Sequence, residues 1–159
     1  MTLAAARRAA RESNDFAPLR ARVPYVGFLD IQIALQDQLP QFRLPFRPSL
    51  VGNAVIQAIH GGAVAGFMES AALLHLLLVL DEEKVPKCID FSLDYLRSAA
   101  ATDTFASCEV ARQGRRVAAV KVRCWQQESG HPELTREVAQ ARAHFLLASN
   151  AELDAGIAG

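Results

Sequence analysis

Residues 58–80 read AIHGGAVAGFMESAALLHLLLVL, a His-Gly-Gly triplet followed by an apolar run that holds one carboxylate, Glu69. From Ala63 to Leu80 the run reaches the lower edge of a membrane span. An acid near its centre opposes insertion by roughly 3 kcal/mol, and the acids Asp81, Glu82 and Glu83 follow it where basic flanks would be needed. A helix that is apolar on nearly every side and not in lipid is one enclosed by its own protein. The stretch therefore predicts a buried central helix and no membrane span.

The surrounding sequence predicts sheet. Between Phe28 and Gln36, Leu29, Ile31, Ile33 and Leu35 fall on one face of a period-2 pattern while Asp30, Gln32 and Gln36 fall on the other. Phe42, Leu44 and Phe46 alternate with Arg43, Pro45 and Arg47, where the proline indicates an edge or a bulge. Beyond the helix, Ile89, Phe91, Leu93 and Tyr95 alternate with Asp90, Ser92 and Asp94. Strands over 103–112 and 117–126 are joined through Gln113-Gly114-Arg115, and a last strand covers about 138–147. Helices and strands do not alternate as in a doubly wound fold. The expected class is α+β: an antiparallel β-sheet curled around a long central α-helix.

Composition narrows the partners. With 17 basic and 17 acidic side chains the formal net charge is +0, so no global field recruits nucleic acid or an anionic membrane, and recognition must be local. At 159 residues and 51% hydrophobic, the chain suits one domain with a sizeable core. Cys88, Cys108 and Cys124 form no CxxC pair for zinc or redox exchange and fit reduced thiols in the cytoplasm. The first 14 residues carry Arg7, Arg8 and Arg11 among alanines. A mitochondrial presequence shares that composition, but a solvated helix capping the domain is the simpler expectation. The expected organisation is a helical extension over 1–24, a core domain over 25–149 and a flexible tail over 150–159.

Gly61 and Gly62 stand where a loop becomes a helix, so their N–H groups belong to the unsatisfied, electropositive first turn. Such donors suit a phosphate or the oxyanion formed when a carbonyl is attacked. His60 can orient a carbonyl or a water, and Glu69 can serve as nucleophile or general base. Nine residues at 1.5 Å each separate His60 and Glu69 by roughly 13 Å along the axis, too far to act on one bond. Two helices meeting antiparallel across a twofold axis would bring the Glu69 of one to the His60-Gly61-Gly62 corner of the other, twice over. The spacing thus favours a homodimer with two shared sites.

These residues resemble the hotdog-fold acyl-CoA thioesterases of the phenylacetate-pathway and 4-hydroxybenzoyl-CoA thioesterase type. The shared pattern is HGG with an acid nine positions after the histidine, met by His60, Gly61, Gly62 and Glu69. It extends over about Tyr25 to Ala148, including DFSLDYLRSA (90–99) and the RQGRR hairpin (112–116). The resemblance implies hydrolysis of an acyl-CoA thioester to a carboxylic acid and CoA. Gly61 and Gly62 would donate to the thioester oxygen, His60 would position the carbonyl, and Glu69 of the partner subunit would attack or activate water. Many relatives place Asn or Gln six residues before the histidine; Ala54 stands there, and Asn53 is the candidate substitute. Leu73 replaces a threonine one turn after the acid, and Cys88 replaces a hydroxyl at the start of the next strand.

Thioester hydrolysis needs little acid catalysis because a thiol of pKa about 8.5 leaves readily. No metal or cofactor is expected beyond the CoA carried by the substrate. Arg97, Arg115 and Arg116 are the candidate cations for its phosphates, and Leu73, Leu74 and Leu77 the candidate acyl lining. His75 lies about 240° around the helix from Glu69, which argues against a shared metal and favours core or interface packing. His131 and His144 lack a ligand cluster; Trp125 and Tyr95 are expected to pack in the sheet or line the acyl pocket. The oligomer is expected to be a homodimer or a dimer of dimers, a homotetramer. The alternatives are a non-catalytic acyl-CoA-binding hotdog protein and, less favoured, a hydratase or dehydratase, whose acid and histidine normally occur in another spacing.

Overall fold

The computed structural model describes residues 1–80 and 84–149. The 81–83 acids and the expected 150–159 tail lie outside the described residues. Helices α1 (Leu3–Ser13), α2 (Ala17–Ala21) and α3 (Pro24–Phe28) precede strands β1 (Gln32–Gln36) and β2 (Leu39–Leu44). A short hairpin, β3 (Val51–Asn53) with β4 (Ala58–Ile59), leads into the long helix α4 (Gly61–Val79). Four strands follow: β5 (Lys84–Tyr95), β6 (Thr104–Gln113), β7 (Val117–Glu128) and β8 (His131–Ser149). The six longer strands form one antiparallel sheet in the order β1-β2-β6-β7-β8-β5.

Helix α4 is long and apolar enough to cross a membrane by length and composition, with a mean hydropathy of 1.7. Here it lies against the sheet. Val64, Phe67, Met68, Ala71, Leu74 and Leu77 are buried with Phe42, Val120, Val122 and Phe145 from the strands. Removing that apolar surface from water stabilises the fold by about 25 cal/mol per Å² buried. Leu74 and Leu77 are therefore core residues facing strands, not the acyl lining expected of them.

The start of the chain is woven into that core. Ala6, Ala10, Leu19 and Val26 are buried, and the Arg7 side chain is fully so. Arg7 donates from Nε to Leu77 O at 2.8 Å, from Nη2 to Leu80 O at 2.7 Å and from Nη1 to Lys84 O at 2.8 Å. Arg11 adds a bond to Leu78 O at 2.7 Å and another to Leu80 O. Apart from Lys84 O, which opens β5, these carbonyls belong to the last turn and C-cap of α4, where acceptors lack intrahelical donors and the dipole favours cations. The expected solvated helix is corrected: α1 does pack on the domain, but two of its arginines cap the central helix.

Other differences are local. The residues read as one strand from Phe28 divide into α3, a turn and β1, because Asp30 takes a left-handed conformation (φ 56) and its carboxylate pairs with Arg20 at 2.8 Å. Leu29 and Ile31 are still buried, so the alternation was real while the backbone was not extended. Strand β2 ends at Leu44 and lies inside the sheet between β1 and β6, not at an edge. After it, the Phe46 N–H donates to Asp103 Oδ1 at 2.7 Å. Strand β8 is longer than expected because its start continues the ladder with β7 as far as Glu128.

Candidate active site

The chain enters α4 through a tightly built corner. Val51 pairs with Ile59, and an added Cβ on Gly52 would come within 2.6 Å of both Cα and Cβ of His60. Only a glycine lets the two backbones approach this closely. Ile59 N–H donates to Ala99 O at 2.8 Å and His60 N–H to Leu50 O at 2.8 Å, so the corner is held from two sides. The loop that carries Ala99 is fixed in turn by buried Gln126, which exchanges bonds with both backbone groups of Ala100 at 2.9 Å.

His60 is the N-cap of α4. Its Nδ1 accepts from Gly62 N–H at 2.9 Å, while its carbonyl accepts from Ala63 and Val64. A neutral imidazole that accepts at Nδ1 carries its proton on Nε2, which leaves Nε2–H as a donor. Gly62 N–H is thereby committed, whereas Gly61 N–H has no acceptor among the described residues. The Gly61 carbonyl accepts from Tyr95 Oη at 2.7 Å, which fixes the peptide plane next to that donor. The corner thus offers Gly61 N–H and His60 Nε2–H, but not the Gly62 N–H that the sequence also suggested.

Asn53, Gly61, Tyr95 and Arg97 share a cavity of about 450 Å³ beside this corner. Asn53 Oδ1 closes the β3–β4 turn by accepting from Val55 N–H at 3.0 Å and Ile56 N–H at 3.3 Å, so its amide N–H₂ is the end left for a ligand. Arg97 donates from Nη1 to Glu137 O at 2.9 Å.

Glu69 stands elsewhere. Gly62, Gly66, Glu69 and Leu73 follow one another at helical spacing along one face of α4, where Gly62 and the Glu69 side chain are exposed and Gly66 and Leu73 are half-buried. With Leu73, Cys88 and Tyr25 it lines a cavity of about 250 Å³. Burial and the adjacent Glu69 carboxylate push the Cys88 thiol pKa upward, and its S–H donates to Asp90 O at 3.5 Å. The structure therefore groups His60, Gly61, Asn53 and Arg97 at the helix start, and Glu69, Leu73 and Cys88 further along. Within one chain it does not join them.

Residues 52–146 match the family described as the acyl-CoA thioesterase N-terminal domain. The chain belongs to the acyl-CoA thioesterase family. It is accordingly a thioester hydrolase. A protein of known structure from Chromobacterium violaceum is 38% identical to this thioesterase, aligning over 89% of this chain and 96% of that one with a TM-score of 0.70. A thioesterase family protein from Silicibacter pomeroyi shares the fold at 18% identity, over 94% of this chain and all 100% of that one, with a TM-score of 0.74. A Bacillus halodurans protein with CoA does so at 18% identity, over 93% and 89%, with a TM-score of 0.66. None of the curated proteins compared matches significantly.

The remaining candidates of this thioesterase are dispersed. Arg115 and Arg116 lie in the β6–β7 turn, where Lys84 Nζ donates to Arg115 O at 3.2 Å and Leu147 N–H to Arg116 O at 2.7 Å. That is the end of the sheet at which β5 begins, whereas Arg97 follows the end at which β5 finishes; within one chain they form no single phosphate site. His75 is buried with Nδ1 unpaired, and burial lowers its pKa. His144 Nδ1 pairs with Asp90 at 2.9 Å and His131 with Glu133 at 3.2 Å, and no metal-type cluster occurs among the described residues. Trp125 stacks on Phe105, with centroids 6.2 Å apart.

Sequence reasoning missed Tyr25, Arg47 and Gly52. Tyr25 crosses over Gly66, where an added Cβ would meet its Oη at 2.6 Å, and it lines both the Glu69 cavity and a second cavity beside His60. Only the glycine at 66, one turn before the acid, hinted at so close an approach.

Proposed function

We propose that the thioesterase hydrolyses acyl-CoA at two equivalent sites, each shared between the subunits of a homodimer. Gly61 N–H and His60 Nε2–H of one protomer hold the thioester carbonyl, and Glu69 of the other acts on it, directly or through water. The observation that carries this reading is the exposed carboxylate of Glu69 midway along a largely buried helix, on the same face as exposed Gly62. An acid on that face, roughly 12 Å along the axis from the Gly61 N–H, is too far to act on a carbonyl held there by its own chain, which favours a role at the site of another molecule.

A second feature supports the dimer. Strand β5 ends the sheet with one ladder unpaired over 12 residues, and Ile89 at its bulge is 54% exposed. Long edges of this kind are normally shielded or paired, and pairing β5 with its twofold mate would set the two α4 helices side by side. It would also bring the Arg115-Arg116 turn of one protomer toward the Arg97 end of the other, giving the CoA phosphates a composite site.

In the reaction the attacked carbonyl develops negative charge against the two donors, and the C–S bond breaks with CoA leaving as a thiolate that is protonated by solvent. We propose no cofactor beyond the CoA of the substrate, which the Bacillus halodurans relative also carries. A reducing cytoplasmic setting fits the three free cysteines. Release of free thiol from a panel of short, long and aromatic acyl-CoAs tests the reading. Glu69→Gln should remain folded and lose turnover by about 10²-fold or more; unchanged hydrolysis by that variant would refute it.

A further inference from the structure

Two cavities meet at the His60 corner, and they differ in kind. The one on the Gly61 side carries Asn53, Arg97 and Ser98, side chains suited to the polar pantetheine arm of CoA. The one on the His60 and Gly62 side, about 480 Å³, is walled by Tyr25, Phe28, Leu29 and Leu50, with a single cation, Arg47. A thioester held between them must send its two arms apart, which leaves the apolar side for the acyl group.

Arg47 is unusual for a wall residue. Its Nη2 donates to Phe28 O at 2.6 Å, and its guanidinium carbon lies 5.5 Å from the Phe28 ring centroid, so the plane of the fork is fixed. Its Nε is buried with no hydrogen-bond partner. Among the described residues no carboxylate pairs with it, and none of the cavity's lining residues is acidic. The side chain as a whole is half-buried, and Nη1 makes no hydrogen bond among the described residues, so that end of the fork is where a ligand acceptor stabilises the site. A guanidinium fixed against the Phe28 ring can bind a carboxylate end-on through Nη1 and the second hydrogen of Nη2.

We propose that this cavity is the acyl subsite and that Arg47 selects acyl groups bearing a carboxylate at their far end, monothioesters of dicarboxylic acids. Tyr25 and Phe28, stacked at 5.8 Å, form the apolar wall along which the chain lies. Tyr25 continues that wall to the Glu69 cavity. The inference rests on the thioesterase reading above for the position of the carbonyl at His60.

The test separates acyl recognition from turnover. Non-hydrolysable S-hexyl-CoA and S-(5-carboxypentyl)-CoA, equal in length, are titrated calorimetrically into the full-length protein. The carboxylated analogue should bind at least about tenfold more tightly, and hydrolysis of adipoyl-CoA should exceed that of hexanoyl-CoA in kcat/KM by a similar factor. Arg47→Met should collapse the ratio to near one, and Arg47→Lys should keep part of it. Equal binding of the two analogues by the unaltered protein would overturn the proposal without touching the hydrolytic reading. An equal loss for both analogues in Arg47→Met would overturn it too, by assigning Arg47 to the CoA phosphates. Since the first comparison uses the unaltered chain, a variant that fails to fold does not decide the matter.

Discussion

Tyr95 donates a 2.7 Å hydrogen bond from its hydroxyl to the Gly61 carbonyl, tying the end of β5 to the first residue of α4. The Gly61 peptide is thus oriented from a strand that belongs to the proposed subunit interface. Tyr95→Phe removes the bond and little else, since the ring is more than half exposed. A net loss of about 1 kcal/mol in ordering the corner predicts a fall in kcat of roughly fivefold. The melting temperature should stay nearly constant. Steady-state kinetics on one good substrate, with a thermal melt alongside, checks it.

Shared sites make a sharper demand. His60→Ala and Glu69→Gln should each abolish turnover as separate proteins. Co-expressed, random pairing puts half the dimers in mixed form, each with one intact site of two. About a quarter of the original activity should return. A mixture as inactive as its parents would show that His60 and Glu69 do not act across a subunit boundary.

The two tight glycines should respond in opposite ways. A Cβ at Gly52 meets the His60 backbone and ring at 2.6 to 2.7 Å, with nothing free to yield. Gly52→Ala should therefore destabilise the fold and displace His60, costing both melting temperature and turnover. A Cβ at Gly66 meets the phenol of half-exposed Tyr25, which can swing outward, and alanine favours a helix over glycine by about 1 kcal/mol. Gly66→Ala should hold or raise stability while altering KM. Thermal melts paired with kinetics separate the two cases.

Arg7 is buried completely with three bonds of 2.7 to 2.8 Å to backbone carbonyls. Arg7→Met fills much of the same volume but strands those acceptors. The expected cost is about 3 kcal/mol or more, seen as a lower midpoint in urea unfolding. Arg7→Lys should recover little, because one ammonium cannot reproduce the fork.

Stability should also fall in mild acid on account of His75. Burial lowers its pKa in the folded chain, whereas the unfolded chain keeps a value near the ordinary 6.5. The unfolded state therefore binds more protons once pH drops below about 6.5, and stability declines by at most about 1.4 kcal/mol per pH unit until the lowered folded pKa is passed. Above that window the contribution is constant. His75→Leu should flatten this part of the profile relative to the unaltered chain in denaturation curves between pH 5 and 8. Parallel profiles would show that other groups set the slope.

Much of this was legible along the chain. The 18-residue apolar run with its acid announced an enclosed helix, and period-2 alternation located the strands after it, because both signals are carried by consecutive side chains. The same alternation misled at Leu29 and Ile31: burial was read correctly, but a left-handed Asp30 breaks the strand between them, and backbone sign leaves no trace in an apolar pattern. The β3–β4 hairpin was too short for a period to show.

The sequence by itself determined the helix, the antiparallel sheet and a separation of His60 and Glu69 too long for one bond, since each follows from local spacing and fixed rise per residue. Tertiary structure alone decided which donors stay free and which cations gather. Gly62 N–H is used by His60, Arg7 leaves the surface to cap α4, Arg97 parts from Arg115 and Arg116, and Arg47 meets Phe28 beside His60. Such facts depend on contacts between residues far apart in the chain, and no local pattern encodes which side chain arrives at an unsatisfied group.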